Sequence, residues 1–211
     1  MLYHSLAEDN QKYSTVRPAD FARQMSYLYQ SGQRPLITFD DGLRDFYLNA
    51  FPVLKKYNLP VIVFLSTSLI GGQMIYERDG LALDVLGEKE IKELADSGLV
   101  EFGSHAHHHL HLTDLTDDQL ENELKISKEI LEGILDKAVT KLAYPRGRVD
   151  ERVKKLASKY YKQAYLIEPG CLIPAADQFL LPRNQIDSSV TLAQFKGIAG
   201  YKRIKFFGYG K

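Results

Sequence analysis

Three short stretches carry the side chains that can do chemistry. "TFDDG" (38–42) sets two carboxylates side by side. "FGSHAHHHLHL" (102–112) holds five of the six histidines, and the sixth is His4, in the opening "MLYHSL". Adjacent carboxylates repel, so Asp40 and Asp41 need a reason to be neighbours. A turn that ends on glycine is one reason. The other is a division of labour, with one Asp binding a cation and its neighbour staying free as a base. Side chains on a regular strand alternate between faces, but at a strand end before Gly42 the backbone can bend both into one pocket. In the histidine run His105 and His109 are four apart, and so are His107 and His111. Either pair can close on a metal if the loop turns helically, and the spacing alone does not choose between them. The plain alternative is a solvated His-rich loop. His4 is either a satisfied core residue or a proton donor, since imidazole titrates near neutrality and a carboxylate beside it would raise its pKa.

One carboxylate and two imidazoles make a three-ligand face with positions left open for water and substrate. A metal there lowers the pKa of water, and a second carboxylate can take the proton. A separate histidine can then protonate the leaving group. That set is equipped for metal-assisted hydrolysis of an amide or ester. The same ligand types serve iron oxygenases, but those usually sit on all-β double sheets, which the patterns below disfavour.

The elements that must position these groups alternate between strand and helix, the signature of an α/β domain. "LITF" (36–39) and "VIVFLS" (61–66) are apolar on consecutive positions, as for strands covered on both faces. "MLYH", "LVEFGS" (99–104), "KLAY" (141–144), "QAYLI" (163–167) and "FLLPR" (179–183) are further strand candidates. A helix over 18–31 starts at Pro18, turns Phe21, Met25 and Leu28 inward and stops at Gly32. A second, 88–97, buries Ile91, Leu94 and Ala95 before Gly98. Thr116 and Gln119 form a capping box for 117–136, which buries Leu120, Leu124, Leu131 and Leu135. Asp150 caps 151–160, with Val153 and Leu156 inward. Six or seven such steps predict one domain over 1–211, a barrel related to the (β/α)₈ form, with its chemistry at strand C-terminal ends. The irregular stretch 71–87 either walls the site or is a surface excursion.

With 27 basic and 27 acidic residues the net charge is zero, which argues against a nucleic-acid partner. The one basic cluster, the aromatic-rich tail "YKRIKFFGYGK", reads as a solvated end or as a contact to a membrane surface or anionic polymer. A single cysteine, Cys171, excludes a disulfide within the chain. "VIVFL" is far too short to span a membrane, and "MLYHSLAEDN" lacks the charged start and apolar stretch of a signal peptide. The expectation is a cytoplasmic protein, or one whose leader lies upstream of residue 1.

"TFDDG" followed by "GSH-x-x-x-H-x-x-L" resembles the polysaccharide deacetylases of carbohydrate esterase family four. The resemblance implies a distorted (β/α)₇ barrel. It implies Asp41, His105 and His109 as ligands of one divalent metal, Asp40 as general base, and His107, His108 and His111 as bystanders. Zinc is the default metal, and cobalt, nickel, iron or manganese suit the same face. "LAYPRG" (142–147) stands where the family has an Arg-x-Pro-Tyr segment, which makes the backbone N–H of Tyr144 the expected oxyanion donor. Ala143 takes the arginine position, Arg146 the tyrosine position, and Ala106 stands where the family often has Thr; these departures bear on substrate contacts. No histidine follows His111, so the family's late acid histidine is missing. "LYHSL" resembles instead the circularly permuted branch, which carries it on the first strand and deacetylates poly-β-1,6-N-acetylglucosamine. By that match His4 is the acid. "LPRNQID" resembles a late Pro-Arg stretch of the branch, implying Arg183 as tether of Asp40 and Asp187 as tuner of His4. The implied partner is an N-acetylated polysaccharide of the biofilm matrix, which places the protein outside the cytoplasm behind a leader or anchor. Peptidoglycan, chitin oligomers, an acetylated ester, and a non-catalytic carbohydrate-binding role are the alternatives.

Overall fold

A computed structural model of the chain describes residues 1–8, 14–76, 80–171 and 177–200. The basic tail 201–211 lies outside the described residues. The chain runs β1 (Leu2–Tyr3), β2 (Ser5–Leu6), β3 (Thr15–Val16), α1 (Pro18–Ser31), β4 (Ile37–Phe39), α2 (Phe51–Tyr57) and β5 (Val61–Leu65). It continues with β6 (Gln73–Tyr76), β7 (Leu81–Asp84), α3 (Glu88–Asp96), β8 (Val100–Ser104), α4 (Asp117–Leu135), β9 (Lys141–Ala143), α5 (Glu151–Tyr160), β10 (Gln163–Tyr165) and α6 (Leu192–Ala199).

The principal sheet has six strands in the order β1-β4-β5-β8-β9-β10, every neighbour parallel. The stretch 181–186 spans the gap between its edges. Leu181 bridges Tyr165 of β10, and Gln185 bridges Leu2 of β1. "FLLPR" is therefore an irregular seventh stave rather than a strand. Pro182 has no N–H to donate, and the Arg183 N–H goes to the Glu168 carbonyl at 2.9 Å. The distorted α/β barrel expected from the sequence is the fold observed, with "LITF" and "VIVFLS" each trimmed at their ends.

Two apolar layers follow from strand alternation. Ile62 and Phe64 of β5 face the barrel interior with Ala143, Tyr165 and Leu181. Val61, Val63 and Leu65 face the helices with Phe21, Leu28, Ile91 and Leu124. Gly103 of β8 is required by this interior, because a Cβ there would lie 2.5 Å from the Phe64 ring and 3.0 Å from the Lys141 carbonyl. The helices at 18–31 and 151–160 fall where the sequence put them. The two between end one residue earlier, at Asp96 and Leu135. The Thr116–Gln119 box is formed, and the Asp150 carboxylate accepts from the Val153 N–H at 2.7 Å.

The sequence reading missed α2 with the π-helical turn Phe46–Ala50 before it, α6, the short parallel pair β2–β3, and the antiparallel hairpin β6–β7 inside 71–87. The hairpin wraps back on the Asp-Asp-Gly turn. Leu43 bridges Val85, the Leu86 N–H reaches the Gly42 carbonyl at 3.0 Å, and Leu43, Met74 and Val85 share a small apolar core.

Candidate active site

The C-terminal ends of β4 and β8 deliver the two motifs to one place. After Phe39 the chain continues to Asp40, whose N–H bonds the Tyr3 carbonyl at 3.0 Å, and then turns sharply. Asp41 has φ 70° and Gly42 φ 64°, two successive left-handed residues. Such backbone is costly for an aspartate. It leaves both carboxyl groups buried in the same pocket, Asp40 fully and Asp41 3% exposed. A Cβ on Gly42 would sit 2.0 Å from a Leu65 methyl, so any other residue there would have to displace that buried side chain and adopt a left-handed backbone as well.

The histidine loop is built the same way. The His105 N–H bonds the Leu65 carbonyl at 2.8 Å, and the left-handed Ala106 and His109 (φ 61° and 59°) fold the loop back. Glu123 of α4 holds it from below. One of its oxygens accepts the N–H groups of His107 and His108 at 2.9 and 2.8 Å, and the other meets His108 Nδ1 at 2.6 Å.

Asp41 Oδ1 then lies 3.5 Å from His105 Nε2 and 3.4 Å from His109 Nε2. One ligand atom from each of the three residues lies within 4.8 Å of the other two. His105 Nδ1 is 2.8 Å from the Ala143 carbonyl, which only accepts, so Nδ1 carries a proton and Nε2 is the atom turned to Asp41. Burial pushes His109 down to about 4, against the pull of Asp41, so its imidazole is neutral near pH 7. Two imidazoles thus converge on a buried carboxylate oxygen that has no hydrogen-bond donor. A divalent cation among these three atoms satisfies all of them at once, so the residues fit a metal. The choice of pair that spacing left open falls to His105 and His109. The structure gives the other histidines different partners: Thr67 Oγ1 for His107 at 2.8 Å, Glu123 for His108, and Arg146 Nη1 for His111 at 3.4 Å.

Asp40 is turned away from this triplet toward Arg183. Nη1 and Nη2 of the guanidinium meet Oδ1 and Oδ2, both at 2.6 Å. Nη1 also donates to Thr38 Oγ1 and Nε to the Leu166 carbonyl. The guanidinium packs against the rings of Phe64 and Tyr165, 5.3 and 5.8 Å from their centroids. Burial pushes the Asp40 carboxyl up, but Arg183, helped by His105 and His4, outweighs it and holds the group below the usual carboxylate range. Asp40 is therefore an ionised, oriented carboxylate 4.0 Å from His105 Nε2.

His4 sits between β1 and β2, 7% exposed and within the fields of Asp41, Asp40, Arg183 and His105. The expectation that a carboxylate raises its pKa is corrected. Burial lowers it by more than Asp41 and Asp40 raise it, so the resting imidazole is neutral near pH 7.

Two further assignments are also corrected. The Tyr144 N–H donates to the Tyr165 carbonyl at 3.1 Å as part of the β9–β10 ladder, so it is not available to an oxyanion. The Tyr144 hydroxyl is turned to the Phe179 carbonyl. Asp187 serves its own turn, its Oδ1 accepting the Ser189 N–H and hydroxyl at 2.9 and 2.6 Å, while the carboxylates acting on His4 are Asp41 and Asp40.

Three residues not singled out from sequence act on the site: Glu123, Tyr76 and Asp45. Tyr76 of the hairpin donates its hydroxyl to Asp41 Oδ2 at 2.7 Å. Asp45 Oδ2 accepts the Ser5 hydroxyl at 2.6 Å and the Leu6 N–H at 3.0 Å, gripping the strand that follows His4. The spacing of Asp45 from "DDG" was the one available signal, and it is indistinguishable from a surface acid. A cleft of about 730 Å³ opens at the other end of the barrel, where the charged lining is Arg34, Glu101, Lys137 and Lys141. It does not bring an acid–base or metal-ligating set together.

Comparison with known proteins identifies relatives of the chain and of its fold. The family profile "Polysaccharide deacetylase" matches residues 30–165. A poly-beta-1,6-N-acetyl-D-glucosamine N-deacetylase of Staphylococcus epidermidis is 31% identical over 179 residues, covering 80% of this chain. This chain spans 60% of that relative's length. A crystal structure of BC0361, a polysaccharide deacetylase from Bacillus cereus, superposes with a TM-score of 0.82 at 29% identity, covering 94% of this chain and 67% of that one. IcaB from Ammonifex degensii shares the fold, with a TM-score of 0.79 at 21% identity over 95% of this chain and 94% of that one. The chain belongs to the polysaccharide deacetylase family, carbohydrate esterase family four.

Proposed function

We propose that the chain removes N-acetyl groups from N-acetylglucosamine units of a polysaccharide, and that the polymer is poly-β-1,6-N-acetylglucosamine. The observation that carries the chemistry is the convergence of Asp41, His105 and His109 beside a separately tethered Asp40. A divalent cation held by the first three would polarise the acetyl carbonyl and acidify a water. Zinc is the choice favoured by two imidazoles and a carboxylate, and cobalt, nickel, iron or manganese suit the same open face. Asp40 accepts the proton of the attacking water. Arg183 keeps that carboxylate ionised and aimed. His4, neutral at rest, must first take up a proton; it then passes that proton to the departing amine as the C–N bond breaks, so that the acetyl group leaves as acetate. The site therefore separates base and acid onto different strands, as hydrolysis of an amide requires.

The choice of polymer is supported by the name of the staphylococcal relative and by "LYHSL" and "AYPRG". It implies action outside the cytoplasm, where such a polymer lies. The test is acetate release from poly-β-1,6-N-acetylglucosamine oligomers by metal-reconstituted protein, beside chitin oligomers and an Asp40→Asn control. Release selective for the β-1,6 oligomers and lost in the control is expected. Release from chitin or peptidoglycan fragments instead would overturn the polymer and keep the chemistry. Oligosaccharide binding without acetate from any substrate would leave a carbohydrate-binding domain.

A further inference from the structure

Asp41 has two oxygens in two different environments. Oδ1 faces both imidazoles and has no donor. Oδ2 accepts the Tyr76 hydroxyl at 2.7 Å. A carboxylate oxygen that accepts a hydrogen bond is held in place and made the poorer ligand, so a metal is offered chiefly the other oxygen. We infer that Tyr76 is a positioning residue that holds Asp41 to one-oxygen ligation and so keeps coordination positions open for water and substrate. The inference rests on the metal-site reading above.

The support is more than a single hydrogen bond. Tyr76 ends β6, and that hairpin is fixed to the turn carrying Asp41 by the Leu43–Val85 bridge, by the Leu86 N–H on the Gly42 carbonyl, and by the packing of Met74 on Leu43 and Val85. The donor and the ligand it orients are thus parts of one small rigid unit.

The test is cobalt binding to metal-free protein, followed by visible absorption, for wild type, Tyr76→Phe and an Ile75→Ala control on the same strand, where the side chain is 64% exposed. Tyr76→Phe keeps the ring and loses the donor. Its cobalt affinity should fall roughly 10–100-fold, the usual effect of removing a group that orients a metal ligand. Its saturated spectrum should weaken as Asp41 adds its second oxygen and the coordination number rises. Ile75→Ala should match wild type in both. An unchanged spectrum and affinity in Tyr76→Phe would overturn the inference while leaving the metal site intact. Failure of wild type to bind cobalt would instead remove the metal-site reading. Melting of the metal-free proteins separates a folding loss from a ligation effect, and the spectrum at saturation decides even where melting has fallen.

Discussion

The guanidinium of Arg183 and the carboxylate of Asp40 meet in two parallel hydrogen bonds of 2.6 Å with neither group exposed, 143 residues apart in sequence. The late stave of the barrel thereby fixes the charge and the aim of a residue on the early "TFDDG" turn. Replacing Arg183 by Met leaves a buried, uncompensated carboxylate, which typically costs about 3–5 kcal/mol. The sign with pH follows from the depressed pKa of Asp40. Its stabilising contribution is present above the ordinary carboxylate range and is lost as pH falls through the folded value. Urea unfolding of Arg183→Met should therefore show the large deficit at pH 7 and a smaller one near pH 3. An equal deficit at both would mean that Arg183 acts by packing on Phe64 and Tyr165 and not by charge.

Glu123 offers a test of how the histidine loop is held without touching a ligand. Its carboxylate satisfies two backbone N–H groups and one imidazole of that loop. Glu123→Ala strands both N–H groups, at about 1–3 kcal/mol each where they stay buried. Metal affinity should fall with stability, roughly tenfold or more, because the loop carries His105 and His109. Glu123→Gln, which keeps an acceptor for the two N–H groups, should recover most of the affinity. Titration of both variants with zinc in a competing chelator measures this, and equal affinities in Ala and Gln would rule the clamp out.

Bound metal should also raise thermal stability. Without a cation the Asp41 carboxylate oxygen has no hydrogen-bond donor, with the Nε2 atoms of His105 and His109 only 3.5 and 3.4 Å away. A ligand that binds only the folded state adds about 2.7 kcal/mol at a hundredfold excess over its Kd. Chelator-treated protein should melt several degrees below the zinc-loaded form, and Asp41→Asn should abolish most of that difference. A chelator effect of the same size in Asp41→Asn would place the cation elsewhere.

Much of this was readable from the sequence because it depends on local chemistry. The 18–31 and 151–160 helices, with Pro18 and Asp150 at their starts, follow from capping rules that act within a few residues. The strands at 37–39 and 61–65 follow from uninterrupted apolar runs. What the sequence hid is non-local or strained. Tyr144 was misassigned because an N–H shows its partner only once β10 is laid beside β9. The pKa of His4 was misjudged because burial, invisible in a motif, outweighs two nearby carboxylates. Tyr76 and Asp45 act through contacts 35 and 40 residues away, and neither lies in a motif.

Asp45 carries the clearest pH signature of the fold. Burial raises its pKa to about 6, against the Ser5 hydroxyl and the Leu6 and Phe46 N–H groups, and the charge of Asp41 adds to the rise. Its Oδ1 is buried without a hydrogen-bond partner, which favours the protonated form in the folded state. The folded protein then binds more protons than the unfolded chain between about pH 4 and pH 6, so this group's contribution is complete below that window and is lost as pH rises through it. Asp45→Asn keeps an acceptor for Ser5 and Leu6 and removes the titration. The stability difference between wild type and variant should therefore move in the variant's favour by an amount on the order of 1–3 kcal/mol between pH 4 and pH 8. The change in the difference is the quantity to measure, because the new amide N–H carries a desolvation cost of its own at every pH. Urea unfolding of both proteins at the two pH values provides it. A difference that stays constant would mean that Asp45 keeps its charge throughout and grips the strand after His4 as an ordinary carboxylate.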